Sequence, residues 1–187
     1  HEQEAREEVI DMLCTTLASL IGAQAQRILV IGLGNRFITS DALGPQVARN
    51  VLVTSHLYAQ GHAEQLTGTR NVAVLAPGGM GQTGLESGRI IQSVSTVYHP
   101  DVIIAVDALA TRTIRRINRV IQINNTGIQP GSGIGNHRLA ISEKTLHVPV
   151  IAMGVATVTS IGAILNEALE DHAQRDGGED GRRAAAR

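Results

Sequence analysis

Aromatic side chains are nearly missing from these 187 residues, with no Trp, one Phe and two Tyr. Single-strand nucleic-acid binders stack bases on such rings, and this chain has no set of them to offer. A charge excess is lacking too. Lys and Arg number 16 against 17 Asp and Glu, a net charge of −1, so no basic footprint marks a nucleic-acid surface and no direct nucleic-acid partner is expected. Cysteine occurs once, which excludes an intrachain disulfide framework and fits a reducing compartment. That residue, Cys14, has no evident basic neighbour, and a buried or half-buried structural thiol is expected there. Long apolar runs are absent as well. No stretch reaches the roughly 20 residues of a membrane span, and no signal-peptide pattern is seen. A soluble, cytoplasmic protein with no membrane partner is expected.

What is present is aliphatic. Hydrophobic residues make up 43% of the chain, accompanied by 20 Gly, and the core must be built from Val, Ile, Leu and Ala. Such a core suits a parallel sheet covered by helices on both faces. The length fits one domain, residues 1–170, followed by a tail over 171–187 whose polarity predicts disorder. Residues 2–21 carry Val9, Met12, Leu13, Thr16, Leu17 and Leu20 at helical spacing. Thereafter the pattern alternates. ILVI (28–31) predicts a strand, 43–58 a helix, NVAVLA (71–76) a strand, 85–98 a helix and DVIIAV (101–106) a strand. RINRVIQIN (116–124) reads as a fourth strand, HVPVIAMGV (147–155) as a fifth, and TVTSIGAILNEALE (157–170) as a closing helix. This order implies an α/β fold, a three-layer sandwich with a mostly parallel sheet.

Several motifs fail on inspection. Gly32-Leu33-Gly34 follows the first strand, but the third glycine of a dinucleotide fingerprint would fall at Phe37, and no acidic residue closes the second strand. Neither PGGMGQTG (77–84) nor PGSGIGN (130–136) continues to the Lys-Ser/Thr of a P-loop. Ser132 lacks the flanking glycines of a nucleophile elbow, since Pro130 and Ile134 stand in their places. No H-E-x-x-H metal motif occurs. His137 closes the Gly-rich loop, and taken alone it reads as a surface or hydrogen-bonded histidine. The basic cluster Arg112, Arg115, Arg116 and Arg119 reads as a solvated face.

Two aspartates remain. Asp-Ala-Leu occurs at 41–43 and again at 107–109, each time after an aliphatic run. Either Asp alone reads as a helix N-cap, and Pro45 fits the first turn of such a helix. Topology changes the reading of the pair. In an open parallel sheet, ligands bind beyond the carboxyl ends of the strands, where the strand order reverses. Two carboxylates brought together there cannot easily both ionise; one pKa rises, leaving a protonated acid beside a carboxylate base. Such a pair can activate water and protonate a leaving amine. The sequence leaves open which residue is the base. Gly34, Asn35 and the backbone of Gly78, Gly79, Gly131, Ser132 and Gly133 are expected at the strand ends, where they would shape the cleft or stabilise an oxyanion.

At these residues the sequence resembles the germination protease family, spore endopeptidases that degrade small acid-soluble spore proteins. The matching blocks are GLGNRFITSDALGP (32–45), LAPGGMGQTGLES (75–87), VIIAVDALATRT (102–113), TGIQPGSGIGN (126–136) and VPVIAMGVATV (148–158). Ser40 stands where the family often has Pro, and His137 where a lysine is common. The resemblance implies an atypical aspartic endopeptidase without cofactor, made as an autoprocessed zymogen. It also implies a fold similar to that of hydrogenase maturation proteases and phosphorylase/hydrolase-like proteins, a homotetramer, and a place in the spore core. The family's two functional aspartates carry over to Asp41 and Asp107. A second reading makes the same carboxylates metal ligands: Asp41, Asp107 and His137 would supply oxygen and nitrogen donors to a metal-dependent maturation protease. A third is an inactive homologue that binds a sporulation partner.

Overall fold

The computed structural model describes residues 2–62, 67–131 and 138–169. Ser132, Gly133, His137 and the tail 171–187 lie outside the described residues. The chain opens with helix α1 (Glu2–Ile21) and strand β1 (Arg27–Gly32), then helices α2 (Leu43–Asn50) and α3 (Ser55–Ala59). Strand β2 (Asn71–Leu75), helices α4 (Met80–Thr83) and α5 (Ser87–Tyr98), and strand β3 (Val102–Thr111) follow. Strand β4 (Ile121–Asn124), helix α6 (Glu143–Leu146), strand β5 (Val150–Thr159) and a last helix, α7, over 161–169 complete the described chain. No helix among the described residues is long and apolar enough to cross a membrane.

The strands form one sheet in the order β2-β1-β3-β5-β4. All pairings are parallel except β4 with β5. Side chains alternate across this sheet with a period of two. Leu29, Ile31, Ile103 and Ala105 enter one layer with Ile91 of α5 and Leu146 of α6. Ile28, Val30, Val102, Ile104 and Val106 enter the other, against Leu17 and Ile21 of α1 and Leu43 and Val47 of α2. Both faces are covered, which is why the central strands are aliphatic throughout. Each fully buried Leu, Ile or Val contributes about 1.5–3 kcal/mol. The architecture is thus the three-layer α/β sandwich that the alternation implies. The chain leaves β1 to build β2 on one side and returns to build β3 on the other. Strand order therefore reverses between β1 and β3.

Several boundaries differ from the sequence expectation, each for a local reason. The helix expected over 43–58 is two helices, because Thr54 is drawn to β2. Its N–H donates to the Val72 carbonyl at 3.0 Å, and its Oγ1 accepts from the Val72 N–H at 2.9 Å. The run Val51-Leu52-Val53-Thr54 is rich in β-branched residues that resist continuing the helix. The single turn of α4 forms inside the Gly-rich segment, so α5 starts at Ser87. Strand β3 does not stop at Val106. It continues to Thr111 because β5 pairs with it along that length, across a bulge between Leu109 and Ala110. The fourth strand shrinks to Ile121–Asn124; residues 114–116 make a 3-10 turn, and Asn118, at φ 54°, breaks the extended run. The closing helix starts only after β5 ends at Thr159. Cys14 is exposed, which corrects the expectation of a buried thiol. Only the C-terminal end of α1 packs on the sheet, through Leu17 and Ile21; Val9, Met12 and Leu20 face solvent.

Candidate active site

The last pair of the β1–β3 ladder is Gly32 with Val106. Leu33 N–H then donates to the Val106 carbonyl at 2.8 Å, and the chain turns away. Asp107 is therefore the first residue of β3 without a β1 neighbour. It lies within the strand, on the face of Ile103 and Ala105, and is 8% exposed.

The loop after β1 folds back on itself to place Asp41. Asn35 N–H donates to the Asp41 main-chain carbonyl at 3.0 Å and to its Oδ2 at 2.9 Å. Asp41 N–H donates to the Ile38 carbonyl at 2.9 Å, closing the 3-10 turn Thr39–Asp41. From β5, Thr157 Oγ1 holds the Ser40 carbonyl at 2.6 Å. Two glycines make this return possible. Gly34 has φ +107°, and a Cβ there would collide with the Asp41 carbonyl oxygen and stand 3.0 Å from its Oδ1. Gly44 lets the first turn of α2 lie backbone to backbone on the sheet, where a Cβ would come 2.5 Å from the Val106 carbonyl oxygen. Gly34→Ala is accordingly expected to cost about 1–3 kcal/mol through strain and overpacking. A fall in the denaturant midpoint at unchanged m would register it.

Neither aspartate caps a helix. The residue preceding α2 is Ala42, which makes no side-chain cap bond, and Asp107 sits in mid-strand. Instead both line one cavity of about 440 Å³, together with Gly34, Asn35, Gly78, Gly79, Gly131 and Arg138. Asn35 ties two of the walls together. Its Oδ1 accepts from Phe37 N–H at 3.0 Å and from Gln82 Nε2 at 2.9 Å, while Gln82 Oε1 accepts from Gly79 N–H at 3.0 Å. Ser132 and Gly133, expected in the same wall, lie outside the described residues.

The two carboxyls are not equivalent. Burial pushes Asp107 up to about 7 from 3.8; the Ala108 N–H (2.8 Å from Oδ1) opposes this, the nearby Asp41 charge adds to it, and Arg138 opposes it. Asp41 is half-buried, and burial raises its pKa too, against the Asn35 N–H and the Arg138 charge. The structure thus supplies a carboxylic acid that keeps its proton near neutrality beside a second carboxyl better placed to ionise. Among the described residues no carboxylate forms an ion pair with Arg138. Arg138 and Gln82 were not picked out by the sequence. Arg138 follows the Gly-rich loop without any diagnostic spacing, and only tertiary folding brings it opposite the aspartates. The basic cluster at 112–119 is exposed, and Arg115 pairs with Glu167 at 3.2 Å. Among the described residues no three His, Cys, Asp or Glu side chains converge for a metal ion; His137, the third ligand of the metal reading, lies outside them.

The chain matches the family profile described as "Germination protease" over residues 1–182. It is 43% identical over 171 residues to a germination protease of Clostridium tetani (strain Massachusetts / E88), covering 91% of this chain and 53% of that one. It is 51% identical over 142 residues to one from Oceanobacillus iheyensis, covering 76% of this chain and 39% of that protein. For the Bacillus velezensis germination protease the identity is 42% over 174 residues, with 91% and 47% covered. The chain spans about half the length, or less, of these curated relatives. Among solved structures, the NiFe hydrogenase maturation protease HycI from Thermococcus kodakarensis KOD1 is similar at a TM-score of 0.47 and 19% identity, covering 79% of this chain and 88% of that one.

Proposed function

The chain belongs to the germination protease family, and from that premise we propose that it hydrolyses peptide bonds with Asp41 and Asp107 acting as an acid–base pair on water. The observation that carries this reading is the placement of both carboxyls on one cavity, with Asp107 buried enough to hold a proton near pH 7. Asp41, the less buried of the two, is the general base. It takes a proton from water as the oxygen attacks the scissile carbonyl carbon. Asp107 is the general acid, and it delivers its proton to the amine nitrogen as the C–N bond breaks. Transfer of the proton gained by Asp41 to Asp107 then restores the starting state. Arg138, unpaired among the described residues and on the same cavity, faces the negative charge that develops on the carbonyl oxygen.

The substrate in this reading is a small acid-soluble spore protein, met in the spore core. The chain is made as a self-cleaving zymogen and works as a homotetramer without a cofactor. These points rest on the family blocks of the sequence. Purified protein incubated with a small acid-soluble spore protein should yield discrete fragments, identified by mass spectrometry, in the presence as in the absence of a chelator. Loss of cleavage on chelation, restored by added metal, would favour the metal-ligand role for the same aspartates. Arg138→Gln is expected to lower kcat about 100-fold with little change in KM, the pattern of an interaction made only in the transition state. An unchanged kcat would remove Arg138 from the mechanism.

A further inference from the structure

Strand β3 has two unequal edges. Towards β5 it is paired from Ile103 to Thr111; towards β1 its ladder ends at Val106. In a parallel sheet, alternate residues turn both main-chain groups to the same neighbour. Val106 turns towards β1, since its carbonyl accepts from Leu33 N–H. Ile103 and Thr111 turn the other way: Ile103 N–H donates to the Pro149 carbonyl, and the Thr111 carbonyl accepts from Thr159 Oγ1 at 2.8 Å. Ala108 and Ala110 share the direction of Val106. Their main-chain groups therefore point to the side that β1 has vacated.

One of those groups is occupied, because Ala108 N–H donates to Oδ1 of Asp107. The extra residue of the bulge, Thr157, belongs to β5, so the alternation of β3 is kept. Among the described residues no loop or side-chain group bonds the Ala108 carbonyl or the N–H and carbonyl of Ala110 on this side. Unpaired strand edges are templates for another chain and are normally shortened, charged or covered. This one is short, but it is left uncovered where it lines the cavity. Ala110 is exposed, Ala108 is half-buried, and the stretch from Asp107 to Ala110 lines the cavity that holds both carboxyls. Ala108 and Ala110 carry only methyl side chains on either side of Leu109, and the glycine-rich loop after β2 lines the same cavity.

We propose that the substrate docks as an added β-strand on this open edge, hydrogen-bonded through its main chain to Ala108 and Ala110, so that the bond leading onward from the edge reaches Asp107 and Asp41. The ligand is an extended stretch of polypeptide; the edge from Asp107 to Ala110 is about 10 Å long at strand rise. Main-chain pairing supplies affinity without demanding a particular sequence at every position. A segment locked in a helix or a folded core has its amides engaged and is refused. Docking rests on the proteolytic reading only for what happens to the segment once bound.

The test uses the full chain and a peptide of about ten residues spanning a site in a small acid-soluble spore protein. N-methylation of one peptide amide at a time removes one donor in turn. Strand addition predicts that kcat/KM falls about tenfold or more at every second position and little at those between. In parallel, hydrogen exchange at the Ala110 amide is followed by NMR in the Asp41→Asn, Asp107→Asn double variant, which retains intact peptide; docking predicts at least about tenfold slower exchange when peptide is bound. Cleavage with no alternation and an unprotected Ala110 amide would overturn the docking mode and leave the protease reading standing. A protected Ala110 amide with no cleavage by the unsubstituted chain would support docking and overturn the protease reading. If neither protection nor cleavage is seen, both fall.

Discussion

Asp107→Asn is expected to lower kcat for peptide-bond cleavage by about 10²–10⁴-fold while leaving KM nearly unchanged, and Asp41→Asn is expected to do the same. Asparagine is close in shape to aspartate but can neither release nor accept the proton that the reaction moves. In Asp107→Asn the leaving amine departs without its proton donor; in Asp41→Asn the attacking water keeps its proton. Because the two groups act as one unit, the double variant should be scarcely slower than either single one. The pH dependence adds a second signature. In the parent protein kcat/KM should rise with pH as Asp41 ionises and fall as Asp107 loses its proton around pH 7. Asp41→Asn removes a negative charge that helps hold the proton on Asp107, so the alkaline limb of its residual activity should move to lower pH. Steady-state kinetics, with circular dichroism to verify the fold, settle the matter. Parental rates in either variant would remove the acid–base pair from the mechanism.

The second large effect concerns stability, and it has the opposite sign. A carboxyl whose folded pKa is raised from 3.8 to about 7 opposes folding once the unfolded chain ionises. Below about pH 3.8 both states bind the proton and Asp107 carries no such cost. Between that value and 7 the unfolded state loses its proton while the folded state keeps it, so stability falls with rising pH. Above 7 the cost levels off at about 4 kcal/mol. Asp107→Asn should therefore be more stable than the parent at pH 8, by up to that amount, and about equally stable at pH 3.5. Urea denaturation at the two pH values makes the comparison. A variant less stable than the parent at pH 8 would mean that the buried Asp107 carboxyl is not the liability its burial makes it. Gain of stability with loss of activity in one substitution is the pattern of a group kept for chemistry.

The elements most legible in the sequence were those buried on two sides. ILVI, VIIAV and IAMGV announce themselves because both faces of those central strands are covered, and the same burial fixes the three layers; NVAVLA, at the sheet edge, is half-buried yet equally aliphatic. Strand ends were legible only where burial ends with them. The apolar run before Asp107 marks where β1 stops, not where β3 stops. From Ala108 to Thr111 the strand is half-exposed, and its length is set by β5, which lies some 45 residues further on in the chain. Helix α1 shows the converse. Spacing defines a face for Val9, Met12 and Leu20, but spacing cannot tell whether anything packs against that face.

The meeting of Asp41 and Asp107 at one cavity was legible through topology, since a strand order that reverses between β1 and β3 brings the loops of both to the same crevice. What each aspartate does locally was not. Both fit the residue statistics of helix caps, yet Asp41 is held by the Asn35 N–H and Asp107 lies within a strand. Arg138 and Gln82 were hidden for a different reason. Neither residue type at those spacings signals a site; Arg138 arrives on a loop and Gln82 on the single turn of α4, and tertiary contacts decide where both lie.

The central claim is that Asp41 and Asp107 share one cavity and, near neutral pH, one proton. The most direct measurement is an NMR titration of the chain labelled with carbon-13 at the aspartate carboxyl carbons, each signal assigned through its Asn variant. The account predicts that the Asp107 carboxyl titrates near pH 7 and shifts to lower pH in Asp41→Asn. An Asp107 signal that titrates near pH 4 and ignores the Asp41 substitution would contradict it.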